Sequence, residues 1–244
     1  MTLLLGSAEW LRHVRGTPPV RDPRGRSRPT SQFSPYSKHL GRNVGIEGGN
    51  ELTAFLLMEA LHAGRMIRWF KEQPFELNET DHGLKAIPDF MFEWHDGTKY
   101  VVEVKAAAFI TSTEQAKLNR LTALFESIGI KYVLWTDKEQ LCKPLWTNVR
   151  SLWKERDTYH EPSVISDLSE RLAKGPVRLD ALVRAGIDPD AVLHVAARGH
   201  ASFNLTSRWS VATTITREPH ESDYHNFLGA RHDPERWWNT LQSA

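Results

Sequence analysis

Residues 87–105 read IPDFMFEWHDGTKYVVEVK, in which two apolar runs flank the dipeptide Asp96-Gly97. The first run covers residues 90–94 and the second covers residues 100–104. Asp-Gly between two β-rich runs is typical of a hairpin, because the turn needs residues that tolerate positive φ. The stretch therefore predicts two antiparallel strands joined by a tight turn, and the fold must contain a sheet.

Three charged residues stand at the open end of this predicted hairpin. Asp89 opens the first strand, and Glu103 and Lys105 lie near the end of the second. Because side chains alternate along a strand, Glu103 and Lys105 point to the same face. The antiparallel register can place Asp89 beside them, so we expect two carboxylates and an ammonium at one end of the sheet.

This residue set suits metal-assisted hydrolysis of a phosphodiester. Hard divalent cations such as Mg²⁺ take oxygen ligands, often one or two carboxylates together with phosphate and water. The metal activates a water and stabilises charge on the scissile phosphate, and a nearby lysine can orient or deprotonate that water. The alternative is an ordinary hairpin whose polar ends form a cross-strand network of ion pairs.

The spacing resembles the signature of the PD-(D/E)XK nuclease superfamily, with Pro88-Asp89, a gap of thirteen residues, and then Glu103-Val104-Lys105. Three segments extend the resemblance, namely FKEQPF at 70–75, IPDF at 87–90 and VVEVK at 101–105. Together they look like the N-terminal domain of the TnsA endonuclease subunit of heteromeric, Tn7-like transposases. The resemblance runs from about residue 41 to about residue 141.

The resemblance implies both a fold and a site. The fold class would be α/β, with a restriction-endonuclease-like (PD-(D/E)XK) core at residues 41–142. Asp89 and Glu103 would bind Mg²⁺, for which Mn²⁺ would substitute, and Glu51 would complete the acidic set as a third metal ligand. Lys105 would be the catalytic lysine, and Gln73 would support the site.

Glu51 has a competitor in Glu47, which lies four residues earlier in the chain. A first helix is predicted here, with Asn50 as its N-cap and Gly64 at its C-terminal end. A carboxylate in the first turn also suits the helix dipole without any metal, which is the other role open to Glu51. The glycine pair at 48–49 leaves the position of Glu47 open.

The elements that follow keep the expected order. Residues 66–77 predict a strand broken at Pro74, because proline cannot donate to a ladder, and residues 78–85 predict a hairpin loop. Thr111-x-x-Glu114 is a capping-box pattern that opens a second helix, which should stop at Gly129. Residues 132–135 then predict a short buried strand. Helix, three strands, helix and strand is the order of the core that the resemblance implies.

Residues 1–40 are rich in arginine and proline, and Asp22 is the only acid after Glu9. Such a composition cannot build a core, so it predicts an extended, flexible arm. The arm could bind DNA phosphates independently of sequence, or it could be a solvated tail. Lys117, on the second helix, has the same two alternatives. The basic residues of the arm are Arg12, Arg15, Arg21, Arg24, Arg26, Arg28 and Lys38.

Residues 143–160 predict a linker, and residues 161–244 predict a small, mainly α-helical domain with a C-terminal extension. Helices at 164–172, 179–185 and 190–197 precede an alternating stretch at 202–216, which predicts a two-stranded wing. This pattern resembles a winged helix. Asp188 and Asp190 begin the third helix and Arg198 is the cation near its end, so its charges favour protein docking over the reading of bases.

The resemblance also implies partners. A TnsA-like subunit cuts the 5′ ends of a transposon, while a separate TnsB-like transposase subunit cuts the 3′ ends and joins them. The C-terminal domain would bind a TnsC-like AAA+ ATPase regulator. Two other classes of function stay open: a standalone nuclease in defence or repair, and a non-catalytic adaptor that recruits partners.

Composition sets the remaining bounds. The net charge of +1 means that any DNA footprint must come from local clustering of cations. The single cysteine, Cys142, excludes an internal disulfide and fits a reducing cytoplasm. No apolar run approaches the length of a membrane span. We therefore expect a cytoplasmic protein of one or two domains without a membrane partner.

Overall fold

A computed structural model describes residues 4–21, 31–79, 84–141 and 143–219 of the chain. The helices are α1 (Ala8–Gly16), α2 (Gly48–Ala63), α3 (Ser112–Ser127), α4 (Leu145–Glu155), α5 (Pro162–Ala173), α6 (Leu179–Arg184) and α7 (Pro189–Ala197), and Ala107–Phe109 form a short 3-10 helix. The strands are β1 (Gln32–Phe33), β2 (Tyr36–Ser37), β3 (Arg42–Asn43), β4 (Ile46–Glu47), β5 (Ile67–Glu72), β6 (Leu77–Glu79), β7 (Leu84–Ala86), β8 (Phe90–Trp94), β9 (Lys99–Lys105), β10 (Lys131–Thr136), β11 (Val177–Arg178) and β12 (Thr214–Ile215).

The central sheet has four strands in the order β10-β9-β8-β5. β5 and β8 pair antiparallel, as do β8 and β9, whereas β9 and β10 pair parallel. Parallel neighbours need a crossover connection, which α3 provides. The predicted hairpin is confirmed, because Phe90 lies opposite Val102 and Glu93 lies opposite Lys99. The α/β class is confirmed with it.

Helices cover both faces of this sheet. Phe92 of β8 belongs to an apolar cluster with Phe55 of α2, whereas its neighbour Met91 belongs to a second cluster with Phe125 of α3. This division follows from the alternation of side chains along a strand. Both faces of β8 are buried, so apolar residues point to both faces of the strand, with Glu93 as the one polar residue.

Helix α2 begins three residues earlier than predicted. Its N-cap is Glu47, not Asn50, and Gly48 adopts a φ of +87°, which a side chain at that position would strain. Gly64 follows the last helical residue, as predicted. The helix is apolar around most of its circumference, because it packs against β5 and β9 on one side and α4 on another.

The predicted extended arm is wrong for residues 8–16, which form α1. Ser7 caps this helix by accepting a hydrogen bond from the backbone N–H of Trp10. Trp10 and Val14 are one turn apart and buried against the α3 face of the sheet. Two apolar residues at this spacing form an adequate stripe for a helix of nine residues, even where arginine and proline dominate the composition. Residues 31–40 contain β1 and β2, which pair with β4 and β3 instead of forming a free arm.

The predicted linker at 143–160 is also wrong, because most of it forms α4. Leu145, Val149 and Leu152 recur at helical spacing and are buried. The helix packs between α2 and α7. It therefore joins the sheet and the C-terminal helices through one apolar cluster that also contains Phe55 and Leu193.

The C-terminal part contains the three predicted helices, α5, α6 and α7, with slightly different bounds. The predicted two-stranded wing at 202–216 differs, because β12 pairs with β11, which precedes α6. Within 202–216 the pairing is a single bridge between Ser202 and Thr216. The predicted C-terminal extension from residue 220 onward lies outside the described residues, as does Cys142. Across the described part of the chain, each helix is too short or too polar to cross a lipid bilayer.

Candidate functional site

Asp89 sits at the start of β8, where backbone hydrogen bonds fix it beside β9. Its N–H donates to the carbonyl of Val102 at 3.1 Å, and its Oδ2 accepts from the N–H of Val104 at 2.7 Å. Because Phe90 lies opposite Val102, one further step along the two strands brings Asp89 beside Glu103. The antiparallel register thus brings these two carboxylates together.

Lys105 lies between two carboxylates. Its Nζ is 3.0 Å from Oε1 of Glu103 and 3.0 Å from Oε1 of Glu114, on the first turn of α3. The ion pair with Glu103 follows from the shared face of residues two apart on β9. On the other side of Glu103, the hydroxyl of Tyr132 donates to Oε2 at 3.3 Å. Burial and the nearby charge of Glu103 raise the pKa of Tyr132 well above its ordinary value, so its hydroxyl keeps its proton.

Glu51 reaches the same site from the first turn of α2. Its Oε2 accepts from the backbone N–H of Glu47 at 3.1 Å, which is a helix N-terminal contact. The pKa of Glu51 is raised to about 7, chiefly by burial; the N–H of Glu47 and the charge of Arg21 oppose this rise, and the charges of Glu47 and Glu103 add to it. Glu51 therefore shares a poorly solvated, acidic environment with the end of β9.

The pKa of Asp89 is raised well above its ordinary value. Burial is the largest cause, followed by the charges of Glu103 and then Glu51. The N–H of Val104 and the ammonium of Lys105 oppose this rise without offsetting it. The structure thus brings three of the predicted site carboxylates into one mutually repelling group beside a lysine.

Lys105 stays a cation in this environment. Burial lowers the pKa of Lys105, but the charges of Glu103 and Glu114 and their hydrogen bonds raise it by more, so the net shift is upward. A protonated lysine donates hydrogen bonds and carries charge, but it cannot accept a proton. The geometry therefore favours a water-orienting or phosphate-binding role over a role as general base.

Gln73 is held beside Asp89 by its backbone. Its N–H donates to the carbonyl of Asp89 at 2.8 Å, and its carbonyl accepts from the N–H of Val20 at 3.0 Å. Its φ of +39° is unusual for a residue with a side chain. The side chain is buried, and its Oε1 has no hydrogen-bond partner among the residues that the structure describes. A buried amide oxygen without a partner is a feature of sites that bind a ligand.

Glu47, the competitor of Glu51, faces a cation. Arg21 Nη2 lies 3.4 Å from Glu47 Oε2. The charges that raise the pKa of Asp89 come from Glu103 and Glu51. This electrostatic contact favours Glu51 over Glu47 as the third acidic residue of the site.

The predicted DNA-binding residues that the structure describes have different surroundings. Arg12 is exposed on α1, and Lys117 is half-buried on α3. Arg15 forms an ion pair with Glu93, and Lys38 forms one with Asp157, while Arg21 contacts Glu47 as described above. Arg24, Arg26 and Arg28 lie outside the described residues.

Two contacts of the site were missed by the sequence-based prediction. Glu114 was assigned to a capping box, and the cap exists, since Thr111 Oγ1 accepts from the N–H of Glu114 at 3.2 Å. The carboxylate of Glu114, however, contacts Lys105. The contact of Tyr132 with Glu103 arises because β10, which carries Tyr132, pairs with β9. The available signal was a glutamate and a tyrosine on the two elements predicted to flank β9.

The donor chemistry of this group fits a hard divalent cation. Within the described ranges, no three histidine, cysteine, aspartate or glutamate side chains lie close enough together to enclose a metal ion as they stand. Burial is the main cause of the raised pKa values of Asp89 and Glu51, and neighbouring carboxylates add to both; carboxylate oxygens are also the ligands that Mg²⁺ prefers. Asp89, Glu103 and Glu51 are the residues that could hold such an ion.

Comparison with known proteins identifies no relative: the chain matches no protein-family model and no curated protein.

Proposed function

We propose that this chain is a metal-dependent DNA endonuclease. The observation that carries the proposal is the convergence of Asp89, Glu103 and Glu51 beside Lys105 at one end of the sheet. Carboxylates that raise one another's pKa destabilise a fold unless a cation offsets their repulsion. A divalent cation would supply that offsetting charge, and an anionic phosphodiester would pair with the cation and with Lys105.

Asp89 and Glu103 would hold Mg²⁺, or Mn²⁺ in its place, and Glu51 would complete the acidic set. Such an ion, when bound, supplies an activated water and stabilises charge on the scissile phosphate. The backbone N–H of Val104 orients the Asp89 carboxylate by donating to Oδ2. The other carboxylate oxygen of Asp89, Oδ1, is thereby held in a fixed orientation.

Lys105 would contribute a fixed positive charge. Glu103 and Glu114 hold its ammonium from two sides at 3.0 Å each. A lysine held in this way can donate to a phosphate oxygen or to the attacking water and so position it. Because the raised pKa of Lys105 keeps it charged, we assign no proton abstraction to it.

At the finer level, we propose that the enzyme is a TnsA-like nuclease of the PD-(D/E)XK superfamily. Support comes from the segments quoted above and from the order of α2, β5, β8, β9, α3 and β10, which is the order expected for that core. It would cut the 5′ ends of a transposon. A TnsB-like transposase would cut the 3′ ends, so that both subunits together excise the element.

The C-terminal region supports a proposal about the regulator. Helices α5, α6 and α7 with β11 and β12 have the element order of a winged helix. Asp188 caps the start of α7 by accepting from the N–H of Asp190 at 2.9 Å, and this acidic start disfavours contact with DNA. We propose that the region binds a TnsC-like AAA+ ATPase.

The metal site is tested by calorimetric titration of Mn²⁺ into the full chain with a short DNA duplex. Binding by the wild type should disappear in Asp89→Ala and persist in Asp167→Ala, which removes an exposed carboxylate of α5. Equal Mn²⁺ binding by Asp89→Ala and wild type would contradict the assigned ligands.

The reaction is tested by mapping strand cuts at the transposon ends with the transposase subunit present. Wild type should cut the 5′ strands, whereas folded Asp89→Ala and Lys105→Ala should not. A folded Lys105→Ala variant with wild-type 5′ cleavage would refute the role of the lysine. Cleavage by the chain alone, with equal efficiency, would favour a standalone nuclease.

A further inference from the structure

A basic groove runs along β5, outside the acidic group. It encloses about 600 Å³, and among the described residues that line it are four cationic ones, Arg15, Arg42, Arg68 and Lys71, and one carboxylate, Glu93. β5 is the edge strand of the four-stranded sheet. Residues 68–71 of β5 line the groove together with Glu93 of the neighbouring strand β8.

Two of the arginines share one buried acid. Arg68 Nη1 lies 3.1 Å from Glu93 Oε1, and Arg15 pairs with Glu93 Oε2. The carboxylate of Glu93 is only 8% exposed and also accepts from Trp69 Nε1 at 2.9 Å. The guanidinium of Arg15 lies over the Trp69 ring at 4.4 Å. Since one carboxylate neutralises one guanidinium, this pair of arginines keeps a net positive charge.

The third arginine is held by a second buried acid. Arg42 donates through both terminal nitrogens to Glu72, with 2.8 Å between Nη2 and Oε2, and Glu72 is 3% exposed. A guanidinium has five N–H donors, and these contacts use only part of that number. The side chains of Arg42, Arg15 and Arg68 remain 37%, 44% and 56% exposed. All three are thus fixed on one side and open to solvent on the other.

The groove leads toward the acidic group. Glu72, which holds Arg42, is the last residue of β5 and precedes Gln73. The N–H of Gln73 donates to the carbonyl of Asp89 at 2.8 Å. Arg42 therefore lies at the end of β5 that neighbours Asp89, and Arg68 lies near the other end of the strand.

We propose that this groove binds the phosphodiester backbone of the DNA that enters the acidic site. The identity of the ligand rests on the proposed function. Guanidinium groups match phosphate geometry in a bidentate way, and arginines already fixed by buried acids lose little conformational freedom on binding. The groove adds Arg42 and Arg68 to the predicted DNA-binding set and retains Arg15 from it.

The test is a fluorescence-anisotropy titration of a DNA duplex over a range of salt concentrations, with chelator present so that no cleavage occurs. Arg68→Gln is the first variant, because Glu93 keeps Arg15 and Trp69 as donors and the fold is preserved. Each lost phosphate contact lowers the slope of log affinity against log salt by about 0.9. We expect Arg68→Gln to weaken binding and lower this slope, and Arg68→Lys to restore most of it.

Arg171→Gln is the matched control, because Arg171 is a similarly exposed arginine paired with Asp167 on α5. It should bind the duplex as the wild type does. The proposed role of the groove would be overturned if Arg68→Gln had the same slope of log affinity against log salt as the wild type. It would also be overturned if the wild type did not bind the duplex at low salt.

These experiments can contradict the proposed DNA-binding groove and the proposed nuclease activity independently of each other. A wild type that binds DNA through Arg68 and cleaves none keeps the groove and removes the endonuclease. A wild type that cleaves DNA while Arg68→Gln binds it equally well keeps the endonuclease and removes the groove.

Discussion

The ammonium of Lys105 lies 3.0 Å from the carboxylate of Glu114, so the first turn of α3 holds the lysine of β9 in place. Glu114 also has its backbone N–H bound to Thr111 Oγ1. One residue therefore takes part in the N-terminal cap of α3 through its backbone and orients a site residue through its side chain. This contact ties the crossover between β9 and β10 to the chemistry at the end of β9.

Glu114→Gln should lower the pKa of Lys105 toward its ordinary value, because one of the two carboxylates that stabilise the ammonium loses its charge. We expect DNA cleavage to fall by about 10- to 100-fold, the usual effect of removing a residue that orients a site group. The pKa is measured by NMR of labelled lysine side chains. Glu126→Gln, on the exposed end of α3, should change neither property.

Glu51→Gln should stabilise the metal-free protein at neutral pH. The pKa of Glu51 is raised, mainly by burial, from 4.5 to about 7, so the folded state holds a proton that the unfolded state releases above pH 4.5. Wild-type stability from this group is therefore full below pH 4.5 and is lost as the pH rises to about 7. In the wild type this loss of stability is on the order of 1.4 kcal/mol per pH unit over that range. Glu51→Gln does not titrate and therefore avoids the loss.

The measurement is thermal unfolding in chelator between pH 4 and pH 8, and the difference between Glu51→Gln and wild type should grow with pH. Adding Mn²⁺ should stabilise the wild type and leave the variant less affected, because a ligand stabilises the state that binds it. A difference that is constant with pH would exclude Glu51 as the titrating group.

The adjacent rings of His39 and His62, with centroids 3.7 Å apart, predict sensitivity to acid. Burial and then the charge of His62 lower the pKa of His39 from 6.5 to about 4. The unfolded chain therefore protonates His39 below pH 6.5, whereas the folded protein protonates it only below about pH 4. Stability from this group is full above pH 6.5 and is lost as the pH falls toward 4.

Acid unfolding followed by circular dichroism should show a shallower loss of stability in His39→Gln over this range. The exposed His13 of α1 supplies the control His13→Gln, which should unfold like the wild type. Identical acid transitions for His39→Gln and wild type would remove His39 as a cause.

Lys71 anchors α1 to the sheet. Its buried ammonium donates to the carbonyl of Val14, and to the carbonyl of Thr17 at 2.6 Å. Lys71→Met removes donors from carbonyls at the end of a helix, which costs roughly 1 to 3 kcal/mol. We expect α1 to detach more often, and limited trypsin digestion at Arg12 to accelerate several-fold. Lys85→Met, at an exposed strand lysine, should leave the rate unchanged.

Local pattern was sufficient for the hairpin and for the N-cap of α3. The turn at Asp96-Gly97 and the alternation of the flanking strands depend on neighbours a few residues away. Thr111 caps α3 as predicted, because that contact spans three residues. Helices α1 and α4 were missed because each has only a short apolar stripe, whose stability depends on packing against distant elements.

The sequence by itself determined which residues can form strands, where the hairpin turns, and that Glu103 and Lys105 share a face. Only the tertiary structure decided that α2 delivers Glu51 to the same end of the sheet, that Glu114 holds Lys105, and that α4 packs as a helix instead of linking two domains. The reason is physical: periodicity is a property of consecutive residues, whereas burial, shared charge and ion pairing arise when segments far apart in the chain exclude water together.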